Sequence, residues 1–232
     1  MTAKVISIIG GTGAQGKGLG YRLARAGHRV VIGSRSAERA EAAAAAIRDR
    51  LPAGGSVSGD TNEAAAAAGS LLILAVPYAG HAELVKSLAE HLAGKVVISC
   101  VNPLGFDRHG PFGLEVPAGS AAEELQGIVP GSSVVGAFHH LSAVTLWGDR
   151  EDISDEDVLV IGDDEEARSL VAELCRDITG RTGVHAGRLR LARQLEPLTA
   201  ALISVNKRYR VHAGVRISGL PTAGSDDRAQ TA

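Results

Sequence analysis

Several features are scarce in this sequence of 232 residues, and each scarcity excludes a class of protein. The two cysteines, Cys100 and Cys175, lie far apart without a CxxC or metal-ligand spacing, which is typical of a protein from a reducing cytoplasm. The longest apolar runs, such as residues 71–76, fall far short of the roughly 20 residues that cross a bilayer. The N-terminus shows no secretory leader pattern. We therefore expect a cytoplasmic protein without a membrane partner.

An excess of positive charge is also lacking. Lysine and arginine total 24 against 26 aspartates and glutamates, so no basic surplus is available to neutralise a nucleic-acid backbone. The acidic stretch 149–157 lacks the glycine and the ligand spacing of a calcium loop, and we interpret it as a solvated connection. The sequence thus predicts no nucleic-acid partner and no metal site.

What the sequence does contain is the composition of a globular protein, with 45% hydrophobic and 22% charged residues. Short β-branched runs alternate with helical stretches. The predicted strands cover residues 5–9, 29–33, 57–59, 71–76, 95–100, 133–137 and 158–161, and the predicted helices cover 16–26, 37–50, a short segment after 61, 80–92, 121–128 and 164–178. This alternation predicts an α/β fold of Rossmann type, with a doubly wound, mostly parallel sheet.

A glycine-rich segment follows the first predicted strand and opens the first predicted helix. Its residues are Gly11, Thr12, Gly13, Ala14, Gln15 and Gly16. In a GxGxxG motif the first glycine permits a tight turn, the second lets a pyrophosphate approach the backbone, and the third lets helix and strand pack closely. The free N–H groups at the helix N-terminus then face the anion. The motif predicts dinucleotide binding.

A competing interpretation is a P-loop, because residues 11–17 also match the first seven positions of its motif. The eighth position is Gly18, so the hydroxyl that holds Mg²⁺ in those proteins is absent. We therefore favour the dinucleotide fold.

The end of the second predicted strand indicates which dinucleotide is bound. An acidic residue at this position would hold the ribose 2′-hydroxyl of NAD, but this chain has Ser34 and Arg35 there. A hydroxyl can donate to a 2′-phosphate, and a guanidinium can bind it through two hydrogen bonds. Arg39, one turn into the next helix, adds a second cation. The pattern favours NADP. The alternative is that Arg35 and Arg39 only form a charged face in contact with solvent.

The later part of the chain is less regular. Residues 102–119 are rich in glycine and proline and are predicted to form a long loop over the edge of the nucleotide cleft. Five apolar residues then repeat at helical spacing, a pattern of ordinary core packing: Leu191, Leu195, Leu198, Leu202 and Val205. We predict an NADP-binding domain over residues 1–140, a small C-terminal α/β annex over 141–220 that completes the cleft, and a disordered tail over 221–232.

Several segments together resemble a known family. The first are residues 8–18, with sequence IIGGTGAQGKG, and residues 31–35, with sequence VIGSR, followed by Arg39-Ala40-Glu41. The later ones are Leu74-Ala75-Val76-Pro77 with His81, Asn102-Pro103-Leu104, Gly136-Ala137-Phe138-His139, Gly162-Asp163-Asp164 and Leu195-Glu196-Pro197-Leu198. In this order they resemble the reduced coenzyme F420:NADP oxidoreductases of archaea and actinobacteria, over nearly the whole chain to about Leu220.

The resemblance implies a hydride shuttle between NADP and the 5-deazaflavin coenzyme F420, with the deazaflavin ring lying on the nicotinamide at the carboxyl edge of the sheet. It assigns NADP to Thr12, Gly13, Ala14, Gln15, Ser34, Arg35, Arg39, Val76, His81, Asn102 and Ala143, and the deazaflavin to Ala213. Hydride exchange between two planar rings needs alignment rather than an acid or base, so no catalytic side chain is expected. His139 could donate a proton or merely shape the cleft.

The chain departs from the family pattern near the expected second substrate, where His140 and Ser142 replace less polar residues, and in a longer loop around His109. Two other functions therefore stay open. One is an NADPH-dependent reductase of a small imine or ketone, and the other is a non-catalytic NADP-sensing regulator. A homodimer is the expected assembly, because two-fold dimers are the commonest oligomers.

Overall fold

The main feature of the fold is one eight-stranded sheet, seen in a computed structural model that describes residues 3–52, 55–150 and 152–220. The strands are β1 (Val5–Ile9), β2 (Arg29–Ser34), β3 (Val57–Thr61), β4 (Leu71–Leu74), β5 (Val96–Ser99), β6 (Leu104–Asp107), β7 (Gly110–Gly113), β8 (Ser133–Gly136), β9 (Leu159–Gly162) and β10 (Val184–Gly187). The helices are α1 (Ala14–Arg25), α2 (Ala37–Arg48), α3 (Asn62–Ala68), α4 (His81–Leu92), α5 (Ala121–Ile128), α6 (Ala143–Trp147), α7 (Glu165–Thr179) and α8 (Ala192–Tyr209).

Across the sheet the strand order is β10-β9-β8-β5-β4-β1-β2-β3. All neighbours run parallel except β8 and β9, which are antiparallel. The predicted doubly wound, mostly parallel fold is confirmed. Strand order reverses between β1 and β4, and ligands of such sheets bind at the carboxyl ends of the strands where this reversal occurs.

Helices cover both faces of the sheet, which explains the continuous apolar strands. One core contains side chains of α1, α2 and α7, and the other contains side chains of α3, α4 and α5. In β1 both Ile6 and Ile8 on one face and Ser7 on the other are fully buried. Ser36 is the N-cap of α2, because its hydroxyl accepts a hydrogen bond from the Arg39 N–H. In the described residues, no helix is long and apolar enough to cross a membrane.

The predicted long loop over residues 102–119 is partly wrong, because β6 and β7 form an antiparallel hairpin within it. The turn is possible because Gly110 adopts φ +118°, and the Asp107 carboxylate accepts a hydrogen bond from the His109 N–H at 2.7 Å. Strand β7 packs on α8, where Gly113 lies against Pro197. The sequence analysis therefore interpreted as loop residues the glycines that permit this turn and this close packing.

The prediction that residues 149–157 are a solvated connection is wrong at its end. Glu156 and Asp157 are buried, with only 6% and 1% of their surfaces exposed. Asp157 accepts a hydrogen bond from the backbone N–H of Ile217 and lies near two arginines. A carboxylate can be buried where such partners replace water, and sequence spacing does not reveal them.

The apolar repeat of the last helix is only partly core. Leu191 and Val205 are exposed, and the deeply buried positions of α8 are Ala192, Glu196 and Ala200. The deeply buried positions of α8 are therefore two small residues and one carboxylate, and none of them belongs to the predicted stripe. Of the larger apolar side chains, Leu195 packs against a core at partial burial, Leu202 lines a cleft, and Leu191 and Val205 are exposed.

The last two strands, β9 and β10, extend the same sheet as the N-terminal strands. The division of the chain at residue 140 stays a prediction. The predicted tail, residues 221–232, lies outside the described residues.

Candidate active site

A cavity of about 490 Å³ opens at the carboxyl edge of the sheet, beside the point where strand order reverses. Four parts of the chain meet around it: the glycine turn with the start of α1, the ends of β4 and β5, the segment after β8, and the cleft side of α8 with the residues that follow it. The lining residues are Gly13, Ala14, Gln15, Gly16, Ala75, Val76, Pro77, Cys100, Asn102, His139, His140, Leu141, Ser142, Ala143, Thr199, Leu202, Ile203, Asn206 and Ala213.

The glycine turn is shaped by four glycines. Gly10 has φ +70°, so the left-handed residue of the turn is one position before the predicted first glycine. A Cβ atom on Gly16 would lie 2.5 Å from the Cα of Gly11, which explains why helix α1 can approach the turn so closely. A Cβ atom on Gly13 would meet no protein atom within 4 Å, because Gly13 borders the open cleft. Thr12 lies between them, half-buried.

The N-terminus of α1 faces this open space. Its N-cap is Gly13, and no side chain of the described residues caps the helix. The first-turn N–H groups of a helix have no partner within the helix, and they carry its positive dipole end. The arrangement fits an anionic group such as a pyrophosphate.

The three residues predicted to select NADP lie beside this turn but outside the cavity lining. Ser34 ends β2 and is buried, and its hydroxyl accepts a hydrogen bond from the Ser36 N–H at 3.4 Å. Arg35 and Arg39 are exposed. Because β2 neighbours β1, these residues stand at the same edge of the sheet as the glycine turn. A 2′-phosphate could be bound there by two guanidinium groups.

The segment after β8 forms the floor of the cleft. Phe138 is fully buried and adopts φ 65°, a left-handed conformation that is strained for a bulky residue. Its carbonyl accepts a hydrogen bond from Gln15 Nε2 at 3.1 Å. The carbonyl of His139 accepts two more, from Asn102 Nδ2 at 2.8 Å and from Thr199 Oγ1 at 2.9 Å. Three walls of the cleft are thus tied to one strained segment.

The two histidines of this floor are both buried and differ in their contacts. Burial and the neighbouring His140 lower the pKa of His139 to about 3, so its ring is neutral near pH 7. Neither ring nitrogen of His139 has a hydrogen-bond partner in the described part of the chain. His140 Nε2 donates to the carbonyl of Asp157 at 2.7 Å, and burial also lowers the pKa of His140. Both rings therefore act as neutral polar groups.

Helix α6 carries Ala143 into the cleft and is held by an arginine that sequence analysis missed. Arg22, buried in α1, donates hydrogen bonds to the carbonyls of Leu146 at 2.9 Å and Thr145 at 3.0 Å. These contacts satisfy the C-terminal carbonyls of a helix of only five residues. An arginine at this position of α1 is an ordinary surface residue in the sequence pattern, so nothing there reveals its role.

The opposite wall comes from α8 and the residues after it. Thr199, Leu202, Ile203 and Asn206 recur at helical spacing and line the cavity. Asn206 Oδ1 accepts a hydrogen bond from the Ala213 N–H at 2.6 Å, which brings the predicted deazaflavin residue to the same wall. The sequence periodicity of α8 could have indicated this wall. The sequence analysis assigned the repeat only to core packing and did not consider that one face of the helix lines the cleft.

His81 is another predicted NADP residue that does not line the cavity. It begins α4, is 1% exposed, and bonds through Nδ1 to Glu124 Oε2 at 2.9 Å. The phenol of Tyr78 donates to the same carboxylate. His81 therefore anchors α4 to α5 behind the cleft wall.

Cys100 lines the cavity as a neutral thiol. Its Sγ donates to the carbonyl of Leu74 at 3.0 Å, and burial raises its pKa to about 12. Such a thiol is a poor nucleophile. Within the described ranges, no three His, Cys, Asp or Glu side chains are grouped to hold a metal ion.

Comparison with known proteins places this geometry in a family. Residues 5–103 match the family model described as NADP oxidoreductase coenzyme F420-dependent. The chain is 38% identical over 222 residues to the F420-dependent NADP reductase of Methanocaldococcus jannaschii, covering 93% of this chain and 98% of that protein. The chain belongs to the F420-dependent NADP reductase family.

Two further family members support the assignment. The F420-dependent NADP reductase of Methanothermobacter thermautotrophicus is 38% identical over 226 residues, covering 93% of this chain and 95% of that one. A crystal structure from Arthrobacter sp. FB24, provisionally described as an F420-dependent NADP-reductase, superposes with a TM-score of 0.79 at 27% identity, covering 93% of this chain and 99% of that one. The family resemblance stated from sequence is confirmed.

Proposed function

We propose that this protein transfers a hydride between reduced coenzyme F420 and NADP in the cleft at the carboxyl edge of the sheet. The observation that carries the proposal is the 38% identity to curated F420-dependent NADP reductases over almost the full length of both chains. Such coverage includes the glycine turn, the floor after β8 and helix α8, the parts that meet around the cleft.

The two ends of the cleft suit two different ligands. The N-terminus of α1, with Gly13 open to the cleft, would hold the pyrophosphate of NADP, and Arg35 with Arg39 would bind its 2′-phosphate. Val76, Asn102 and Ala143 would line the nicotinamide end. The apolar wall of Leu202 and Ile203, with Ala213, would hold a flat ring system.

The residues of this cleft would align the two substrates. The cavity lining is largely apolar, and its histidines are neutral because both are buried. Alignment of the two rings is what a direct hydride transfer needs, and the proton that accompanies reduction of the deazaflavin can come from water in the open cleft. The reaction then needs no acid, base or nucleophile from the chain.

The test is turnover of NADPH with oxidised F420, followed by loss of the visible deazaflavin absorption band. We expect turnover by the wild-type protein and none by a variant that cannot bind NADP, such as Gly13→Val. Tight NADPH binding without F420 turnover would contradict the proposal, and turnover of a cyclic imine or a ketone instead would identify a metabolite reductase.

We further propose a homodimer in the cytoplasm. Large apolar side chains are exposed on the β6–β7 hairpin and on α8, with Phe106 at 68%, Phe112 at 44% and Tyr209 at 70% exposure. Exposed aromatic groups on neighbouring elements favour an interface with a second copy. Two free cysteines, both buried, are consistent with a reducing compartment. Phe106→Asp should convert the dimer to a monomer in light scattering, and an unchanged mass would contradict this interface.

A further inference from the structure

We propose that Asp157 is a positioning residue for the second substrate, because it fastens the chain after α8 over the F420 end of the cleft. This chain segment, residues 211–217, is named the strap here. The inference rests on the proposed function, since it assumes that the end of the cleft near Ala213 receives F420.

The strap is held by both the backbone and the side chain of Asp157. The Asp157 N–H donates to the carbonyl of Val215 at 2.7 Å, and its Oδ2 accepts from the N–H of Ile217 at 2.8 Å. Arg216 lies between these residues, with its Nε 3.7 Å from Oδ2 and its Nη1 donating to the Ser154 carbonyl at 3.0 Å. One buried residue thus binds the strap at three consecutive positions.

The same residue also contacts the floor of the cleft. The carbonyl of Asp157 accepts a hydrogen bond from His140 Nε2 at 2.7 Å. This bond places the ring proton on Nε2, since a carbonyl can only accept. His140 Nδ1 is then a lone-pair acceptor, buried and without a partner in the residues that the structure describes. Asp157 therefore joins the strap to the cleft floor and sets the tautomer of a histidine that lines the cavity.

A carboxylate is needed here for electrostatic reasons. Asp157 is 1% exposed, and an isolated buried charge would be costly. Arg181 Nε lies 3.4 Å from Oδ1 and Arg216 Nε lies 3.7 Å from Oδ2, so two guanidinium groups offset the charge. An arginine-flanked carboxylate binds a backbone N–H more strongly than a neutral acceptor does.

The position of the strap is also set by close packing. A Cβ atom on Gly214 would lie 2.3 Å from Cδ of Glu156, the residue before Asp157. A side chain at position 214 would therefore require the strap or the buried Glu156 side chain to move. Ala213, next to Gly214, lines the cavity and bonds to Asn206 of α8. Moving the strap would move Ala213 away from the second-substrate wall.

The glycine turn and the start of α1, which would bind NADP, make no bond to Asp157 among the described contacts. The strap contributes Ala213 to the cavity, at the α8 wall, so its release should affect the two substrates unequally. A general loss of stability would instead weaken both. The ratio of the two effects is the measurement that separates positioning from a structural role.

The experiment compares Asp157→Ala and Asp157→Asn with Asp155→Asn as a matched control. Asp155 lies two residues away, is exposed, and pairs with Arg150 at 2.7 Å. For Asp157→Ala we expect the KM for F420 to rise about tenfold or more, as losing a buried charge-assisted bond does, while the Kd for NADPH changes less than about twofold. Asp157→Asn keeps an acceptor oxygen and should fall in between. Asp155→Asn should behave as wild type.

Gly214→Ala provides a second route if Asp157→Ala fails to fold. It adds one methyl group to a partly exposed segment, where the strap or the Glu156 side chain has to move to admit it. Displacement of the strap should raise the KM for F420 while leaving the Kd for NADPH unchanged. If the KM for F420 of both Asp157→Ala and Gly214→Ala matches that of wild type, Asp157 is not a positioning residue. The same conclusion follows if the Kd for NADPH rises in parallel with the KM for F420. Failure of the proposed function has a different signature, namely no F420 turnover by the wild-type protein.

Discussion

The carboxylate of Glu196 in α8 accepts hydrogen bonds from the backbone N–H groups of Ala121 and Ala122 in α5, at 2.9 and 3.0 Å, and so caps a helix far from it in sequence. Arg193, one turn earlier on α8, binds Glu123 of α5 through two hydrogen bonds of 2.8 and 2.7 Å. The wall of the cleft that α8 provides is therefore fixed to the Rossmann body through one buried carboxylate and one exposed ion pair.

Glu196 should make the stability of the protein depend on pH. Burial raises its pKa to about 7, with smaller contributions from Glu123 and Glu124, while the two N–H groups of α5 oppose the shift. Because the pKa of this acid is higher in the folded than in the unfolded protein, its stabilising contribution is complete below the unfolded value and is lost as pH rises through about 7.

The matching measurement is the free energy of unfolding of wild type and Glu196→Gln in urea at about pH 5 and about pH 8. Between about pH 5 and about pH 8 the free energy of unfolding of wild type should fall by on the order of 2–3 kcal/mol relative to that of Glu196→Gln, since each pKa unit corresponds to about 1.4 kcal/mol. Glu83→Gln, an exposed acid on α4, is the control. A difference that does not change with pH would contradict the raised pKa.

Replacing Arg35 by Asp should weaken NADPH binding by about a hundredfold and spare NADH, because the change removes a charge-assisted bond and places an anion beside the 2′-phosphate. Arg29→Asp is the matched control, since Arg29 is an exposed arginine at the opposite end of the same strand, β2. Titration of both variants with NADPH and NADH gives the two Kd values. Equal NADPH affinity in Arg35→Asp and wild type would remove Arg35 from the site.

Two glycine substitutions should separate ligand binding from folding. Gly13→Val should abolish binding of either dinucleotide while the protein stays folded, because its side chain would enter open cleft space. Gly16→Ala should instead destabilise the fold, since its Cβ would lie 2.5 Å from Gly11 Cα. Thermal unfolding and NADPH titration of both variants decide the matter. Tight NADPH binding by Gly13→Val would make the motif a structural turn only.

Sequence periodicity was sufficient for seven of the eight strands of the main sheet, because buried strands and crossover helices follow local patterns, but it missed β10. The glycine turn and the end of β2 were found for the same reason, since each depends on neighbours in sequence. The roles of Arg22 and Glu196 were missed because their partners lie far along the chain, in α6 and α5. Such bonds between distant segments fix α6 and the α8 wall of the cleft, and composition or spacing does not encode them.

The buried acids and the β6–β7 hairpin were also not predicted from sequence, because contacts with distant segments determine their structure. Asp157 was read as solvated because aspartate is usually exposed, but its partners come from the strap. The β6–β7 hairpin was read as loop because glycine and proline weaken a strand pattern, although they permit its turn and its packing on α8. Tertiary contacts override local propensity at both places.

The last prediction concerns His139, whose neutral ring lies on the floor of the cleft. Its pKa of about 3 means that the ring does not change charge between about pH 5 and about pH 9, so it should not shape the pH profile of turnover in that range. His139→Ala should slow turnover by about tenfold or less, through lost alignment of the strained floor segment rather than lost proton transfer.

The control for this loss is His139→Gln, which keeps a neutral polar side chain of similar reach and should retain more activity than His139→Ala. Stereospecifically deuterated NADPH should pass its label to F420 from one face only in wild type and both variants, because a single stacked arrangement of the two rings would expose one face of each. If His139→Ala still bound both substrates but did not turn over, or if the label were lost to solvent before transfer, proton transfer by His139 would have to replace direct hydride transfer as the account of this site.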